Sequence, residues 1–454
     1  MSLDRRSFLT LAAAAPLSIV AGPVLAQSLG NDLRGAIDAG GAGIRPGETD
    51  QTRALRKLLE QGTGAGRPVF LPPGRYAVAD LVLPDGARLI GVPGKSRLVF
   101  AGGSGAFVSA KGARNLTLDG IVIDADRKPV GTGIEGALRL IDVAEMSLRD
   151  VLITDTPNAG LYAERSGGRI SLSTIERCGD AALWSRDARA LVVADNTIRD
   201  CGNGGVLIHR TTKGEDGSQV RGNRIERIGS ANGGTGQWGN GVNVYQAGNV
   251  LVADNRIVDC AFTAVRSNGG DGVQIIANQA LRCGETAIYS EFAFTGAVVA
   301  NNLVDGAANG ISIANFNEGG RLAVVSGNIV RNLRSTGPYP PQPPGFGWGI
   351  WAEADTAVTG NVVENAPLYG IGLGYGPFLR DVTATGNIIR NVGIGIAVTV
   401  VDGARAAIIS DNIIRDAKRG AIVGMRWADP VTPDLARAGS PAPAHLTVER
   451  NRAS

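Results

Sequence analysis

Few side chains in this 454-residue sequence are suited to moving protons. It contains two histidines, His209 and His445, which excludes a multi-histidine metal site. His209 is a candidate general acid or base. Eliminative cleavage of a uronate chain needs a base and a proton donor, for which Arg266 or His209 and the phenols Tyr245 or Tyr289 are the candidates. Hydrolysis of a glycosidic bond needs two carboxylates. Glu291 and Glu353 are the pair the repeat described below sets two coils apart, at ~9.5 Å, the upper limit of inverting geometry. Glu164 and Glu291, five coils apart, cannot cooperate. Tyr162, Glu164, Trp184, Arg186, Asn243, Asn268, Tyr289 and Trp351 would line the same surface. Aromatic rings that stack on sugars, beside Arg, Glu and Asn that bind hydroxyls or carboxylates, are the makings of an elongated saccharide groove.

These residues are placed by a repeat. Segments of the form Val-x-x-Asn-x-Ile align Asn196, Asn223, Asn255, Asn278, Asn302, Asn328, Asn361, Asn387 and Asn412, at spacings of 27, 32, 23, 24, 26, 33, 26 and 25 residues. Degenerate copies precede them at Val151 and Ser173, and Asn451 marks a partial last one. About ten residues after each Asn comes an alternation such as Gly310-Ile311-Ser312-Ile313 or Gly349-Ile350-Trp351-Ala352. Period-two alternation with β-branched residues predicts short strands. Three of them per ~25-residue turn predict an all-β, right-handed single-stranded parallel β-helix. The Asn register is expected to be a structural ladder at a tight corner, where Asn tolerates a left-handed backbone and bonds to the coils above and below.

In the alternating strand the apolar positions point inward, so the residues between and after them form two outward columns. The first runs Arg139, Tyr162, Trp184, Leu207, Asn243, Arg266, Tyr289, Ser312, Trp351, Gly372, Ala397, Val423. The second runs Glu164, Arg186, His209, Tyr245, Asn268, Glu291, Ala314, Glu353, Gly374, Thr399, Met425. Chemistry is concentrated between Tyr162 and Glu353; the last three coils hold mostly small or apolar residues. Insertions at 124–137, 229–240 and 334–348 fall just before this strand and should rise along one edge of the face. The third, with Pro338, Pro340, Pro341, Pro343 and Pro344, is stiff enough for a wall or lid.

Composition agrees with a large globular chain: 44% of residues are hydrophobic and 19% charged. A formal charge of +3 without a polybasic run suggests no nucleic-acid partner. Cys178, Cys201, Cys260 and Cys283 lie five residues after the register position, in an inward column that sets Cys178 beside Cys201 and Cys260 beside Cys283 within disulfide range; buried thiols are the reading preferred over two disulfides, since folding would precede export from a reducing cytoplasm. No dinucleotide glycine motif after a strand, Cys-x-x-Cys or haem motif is present, so no cofactor is expected. Calcium on Asp216, Asp271 or Asp355 has no supporting spacing.

At the N-terminus, Arg5-Arg6 precedes an apolar run from Leu11 to Val24 and the small-residue site Val24-Leu25-Ala26. The pattern resembles a twin-arginine export signal at residues 1–26, which implies a periplasmic or secreted protein with no membrane segment after cleavage. Residues 27–67 then hold a capping helix from Asp50 to Glu60, with Thr49 or Asp50 as N-cap and a stripe at Leu55, Leu58 and Leu59. Residues 68–454 form the β-helix as one domain, expected to be monomeric. The helix, the Leu71-Pro72-Pro73-Gly74-Arg75-Tyr76 segment and the coils resemble the start of the pectate-lyase-like superfamily of polysaccharide-active β-helices. With the signal and the repeats, nearly the whole chain is similar to a family of twin-arginine-translocated β-helix repeat proteins of uncharacterised function. That resemblance implies fold and export and names no activity. The Asn-Thr-Asp, Asp-Asp, Gly-His-Gly and Arg-Ile-Lys set of polygalacturonases and the Asp-Pro-His-Glu of mannuronan epimerases are absent. Two readings stand: an enzyme acting on a polysaccharide as lyase, hydrolase or epimerase, and a non-catalytic saccharide-binding or cell-envelope protein.

Overall fold

A computed structural model of the chain describes Leu33 and residues 35–454 apart from Thr235. The export signal at 1–26 and the first residues after it lie outside the described residues. From Val69 onward the chain winds into a right-handed parallel β-helix, each turn giving one strand to each of three faces, as the repeat predicts.

The core follows from the period-two pattern. Ile198, Ile225, Ile257, Ala280, Val304, Val330, Val363 and Ile389 stack in register through successive coils, and all are fully buried. Each turn therefore repeats the inward residues of the one before it, and burial is continuous along the axis. Helix Thr52–Gly64 closes the first coils by packing Leu55, Leu58 and Leu59 against strands Val69–Leu71, Leu81–Val82 and Arg88–Gly91. Its N-cap is Gln51, not Thr49 or Asp50: the Asp50 carboxylate instead accepts the N–H of Thr52, two residues on, at 2.8 Å.

The Asn ladder is continuous from Asn196 to Asn451, with one difference from expectation. The left-handed backbone belongs to the residue before each Asn, for example Asp195 (φ 58°), Asp254 (φ 56°) and Asn301 (φ 57°). That residue makes the turn, which frees the Asn side chain to point inward. Asn302 shows the pattern: its N–H and Nδ2 both donate to Asn328 Oδ1, at 2.9 and 3.0 Å, and Nδ2 also reaches Ile275 O at 2.9 Å. Buried polar groups at the corner are thereby satisfied from coil to coil.

The four cysteines are buried and carry free thiols. Contact with Cys201, together with burial, pushes the Cys178 thiol well up, and Cys283 does the same to Cys260. Among the described residues no helix is long and apolar enough to cross a membrane.

Candidate functional site

The strands that carry both outward columns pair in parallel without a slip in the columns. Arg139, Tyr162, Trp184, Leu207, Asn243, Arg266, Tyr289, Ser312, Trp351, Gly372, Ala397 and Val423 are successive partners. Glu164, Arg186, His209, Tyr245, Asn268, Glu291 and Ala314 follow in the second column. Outward here does not mean exposed. Tyr162, Leu207, Asn243, Arg266 and Trp351 are all buried, because long side chains on adjacent coils cover one another and the insertions fold over them.

The upstream part of the face is a packed network in which the Trp184 indole N–H is buried without a hydrogen-bond partner. Tyr162 Oη donates to Glu164 Oε2 at 2.8 Å, and burial followed by that acceptor pushes the phenol up to about 12. Arg165, which sequence reasoning passed over, pairs with both Glu164 and Asp142. The rings of Tyr162, Trp184, His209 and Tyr245 run edge to face down the coils at 5.5, 6.2 and 5.8 Å between centroids. His209 Nε2 lies 2.8 Å from Asn243 Oδ1. The Asn243 amide donates from Nδ2 to Gly236 O at 3.3 Å, so its oxygen must face the imidazole and His209 must carry its proton on Nε2. Burial lowers the His209 pKa to about 4, against a smaller opposing contribution from Asn243. The ring is therefore neutral at physiological pH and a weak base. Tyr245 is 40% exposed and marks the open edge.

The middle of the face is a buried ion cluster. Arg266 Nε and Nη2 donate to the two oxygens of Glu291 at 2.6 and 3.0 Å, and Asn268 Nδ2 adds a third bond at 3.1 Å. Glu285, just ahead of strand Thr286–Glu291, lies 3.7 Å from Arg266 and accepts Tyr339 Oη at 2.6 Å and Thr263 Oγ1 at 3.2 Å. The Arg266 guanidinium stands 4.8 Å from the centre of the Tyr289 ring. Burial works against the Arg266 charge, but Glu291, Glu285 and Tyr289 together more than offset it. Burial and the Glu291 charge push Tyr289 up to about 12. Neither Glu285 nor Tyr339 was singled out from sequence. Glu285 lies outside both columns, and Tyr339 sits inside the proline-rich insertion, where only the stiffness of the segment was legible. That insertion is a wall: Tyr339 bonds to Glu285, and Arg334 Nη2 reaches Cys283 O at 2.8 Å.

Behind the wall lies a cleft of about 260 Å³, lined by Tyr289, Ser312, Ala314, Pro343, Pro344, Trp348, Trp351, Glu353 and Tyr375. Trp351 meets Trp348 at 5.5 Å and Tyr375 at 6.1 Å, with interplanar angles of 64° and 61°, so the rings form corners. Gly372 is needed for this: a Cβ there would stand 2.5 Å from the Trp351 ring, which lies flat across the next coil. Glu353 is the charged residue of the lining. Its Oε2 accepts the Phe316 N–H at 3.1 Å. Burial raises its pKa, partly opposed by the N–H groups of Phe316 and Asn315. Among the described residues no Arg or Lys forms an ion pair with Glu353; Arg380, on the following coil, is taken by Asp355.

This geometry alters the hydrolytic pair expected from spacing. Glu291 pairs with Ala314, and Glu353 follows directly on strand Trp348–Ala352 of the next coil, just past its last pair, Ile313 with Ala352. Glu291, however, is buried with both oxygens bonded to Arg266, so the two carboxylates are not equivalent free groups. Arg266, one of the two expected eliminative bases, is held by Glu291 and Glu285. The calcium candidates are engaged separately: Asp271 with Lys213 at 2.8 Å, Asp355 with Arg380, and Asp216 with the Ser218 N–H at 3.2 Å. Among the described residues no cluster of three or more His, Cys, Asp or Glu could hold a metal ion.

The fold has known relatives. The pre-mature gene product 12 of bacteriophage phi29 is similar with a TM-score of 0.53 at 14% identity, over 86% of this chain and 55% of its own. The catalytic unit of a thermostable GH87 alpha-1,3-glucanase from Streptomyces thermodiastaticus strain HF3-3 gives 0.45 at 14% identity, over 92% and 69%. PfbA, a surface adhesin of Streptococcus pneumoniae, gives 0.43 at 14% identity, over 91% and 100%. At such identities the likeness is one of fold alone. No curated protein sequence matches the chain. The model of the right-handed beta helix region matches residues 96–235, 159–330 and 212–378, overlapping stretches that together span more than half of the sequence. Stacked inward columns, three-faced coils and this match lead to one conclusion, that the chain belongs to the right-handed β-helix family.

Proposed function

We propose that the protein is an exported saccharide-binding β-helix, its twin-arginine signal directing it to the periplasm or beyond, and that the cleft around Glu353 holds a residue of the bound chain. One observation carries this reading: an aromatic-cornered cleft with a single charged side chain, on a face where Glu164 and Glu291 are already paired with arginines. Aromatic walls take the apolar face of a sugar ring, and a few convergent polar groups orient its hydroxyls. At about 260 Å³ the cleft is smaller than the ~300–1,000 Å³ of common ligand pockets, so it suits one sugar of a chain that continues along the face. Tyr245 and Arg186 lie up the same column, where such a chain would run.

Binding without turnover is favoured because the second carboxylate that hydrolysis needs, Glu291, is committed to Arg266. A panel of neutral, amino and uronate polysaccharides tests the reading, with binding, reducing ends and ultraviolet-absorbing unsaturated ends read separately. The expected result is saturable binding without products. Reducing ends would make the protein a hydrolase with Glu353 as proton donor, its raised pKa being the observation that favours this second reading. Unsaturated ends would return the chemistry to His209 and the tyrosines.

A further inference from the structure

Resting on that reading, we propose that the cleft selects a sugar bearing a protonated amine, with Glu353 as its counter-charge and the rings of Trp348, Trp351, Tyr375 and Tyr289 as the walls around the ammonium. The sign of the charge is the first argument. The cleft lining contains no Arg, Lys or His, and its one ionisable carboxylate has no cationic partner among the described residues. Other carboxylates on this face do have one: Glu164 has Arg165, Glu291 has Arg266, and Glu135 has Arg139. A desolvated carboxylate without a cation is costly unless its ligand supplies one. An anionic sugar would meet like charge in a low-dielectric site and be rejected.

Ring geometry is the second argument. Cations bind over the negative faces of aromatic rings, best over Trp and Tyr, within ~6 Å of the centroid. Trp351 forms a corner with Trp348 and another with Tyr375, so an ammonium entering the cleft can meet more than one ring and the carboxylate together. Burial raises the Glu353 pKa, which is the response of a carboxylate that lacks this partner.

The test is calorimetric titration of the exported chain with glucosamine oligomers, their N-acetylated counterparts, neutral gluco-oligomers, galacturonate oligomers and choline. The amine form is expected to bind about tenfold or more tighter than the acetylated form. Glu353→Gln should erase that preference, so that the amine and acetylated forms bind alike. Tyr375→Leu, which keeps apolar bulk and removes a π face, should narrow the preference several-fold and serves if Glu353→Gln does not fold. Equal or tighter binding of the acetylated, neutral or uronate oligomers overturns the ammonium inference and leaves saccharide binding intact. Choline binding with no glycan binding assigns the cage to a free quaternary ammonium and overturns both. Silence from every ligand also overturns both.

Discussion

Glu291 ends strand Thr286–Glu291 and Glu353 follows strand Trp348–Ala352 two coils on, at corresponding positions of the repeat, yet their surroundings differ. Glu291 is locked by Arg266 and Asn268 under the proline-rich wall, and the cluster extends to Glu285 and Tyr339. Glu353 sits beyond that wall with backbone N–H groups and aromatic rings for company. A solenoid sets position by register and chemistry by what lies on top. The first glutamate is part of the structure, and the second has no arginine of its own among the described residues.

The comparison can be broken most forcefully at Arg266. Arg266→Leu leaves Glu285 and Glu291 buried without their cation, and stability is expected to fall by about 3–5 kcal/mol in denaturant unfolding. A loss well below that would show that the cluster is wetter than its burial implies. Away from the face, Asn302→Leu removes the acceptor for the N–H and Nδ2 of Asn278, at 2.9 and 3.1 Å, and strands Ile275 O. The expected cost is on the order of 3 kcal/mol, with ligand binding by the folded fraction unchanged.

A pH titration sharpens the contrast on the upstream side. Burial holds His209 at about 4 against an ordinary 6.5, so between those values the unfolded chain binds the proton more readily than the folded one. Its contribution is present above pH ~6.5 and is lost as pH falls towards ~4, a span of at most ~3 kcal/mol. His209→Phe should flatten that part of the acid limb; an unchanged limb would mean that the imidazole is solvated. The smallest effect is expected for Tyr339→Phe. Loss of its bond to Glu285 should cost ~1–2 kcal/mol and loosen the wall, weakening saccharide affinity a few-fold in titration.

Much of this was legible in the amino-acid order, for a physical reason. A parallel β-helix repeats its hydrogen-bond register every coil, so Asn196 to Asn412 and the two outward columns could be aligned by spacing, and the strands pair in that alignment. Coverage was not legible. Glu285 and Tyr339 meet across 54 positions through an insertion that obeys no repeat, and Tyr375 reaches the cleft from a turn after Gly374. The turn residue beside each Asn was misplaced by one position because Asn and Asp both tolerate φ > 0. Pairing of Glu291 with Arg266 joins neighbours in different columns, and column-by-column reading treats those as independent.

The most direct test of the cleft as the saccharide site uses its own tryptophans, Trp348 and Trp351, as reporters. Wild-type protein titrated with the best ligand of the polysaccharide panel should show a saturable change in tryptophan emission. Gly372→Val, whose side chain would displace the Trp351 ring from its place across the coil, should keep the wild-type circular dichroism and lose the response. Full binding by a folded Gly372→Val variant, or no binding of any saccharide by the wild type, would contradict the account.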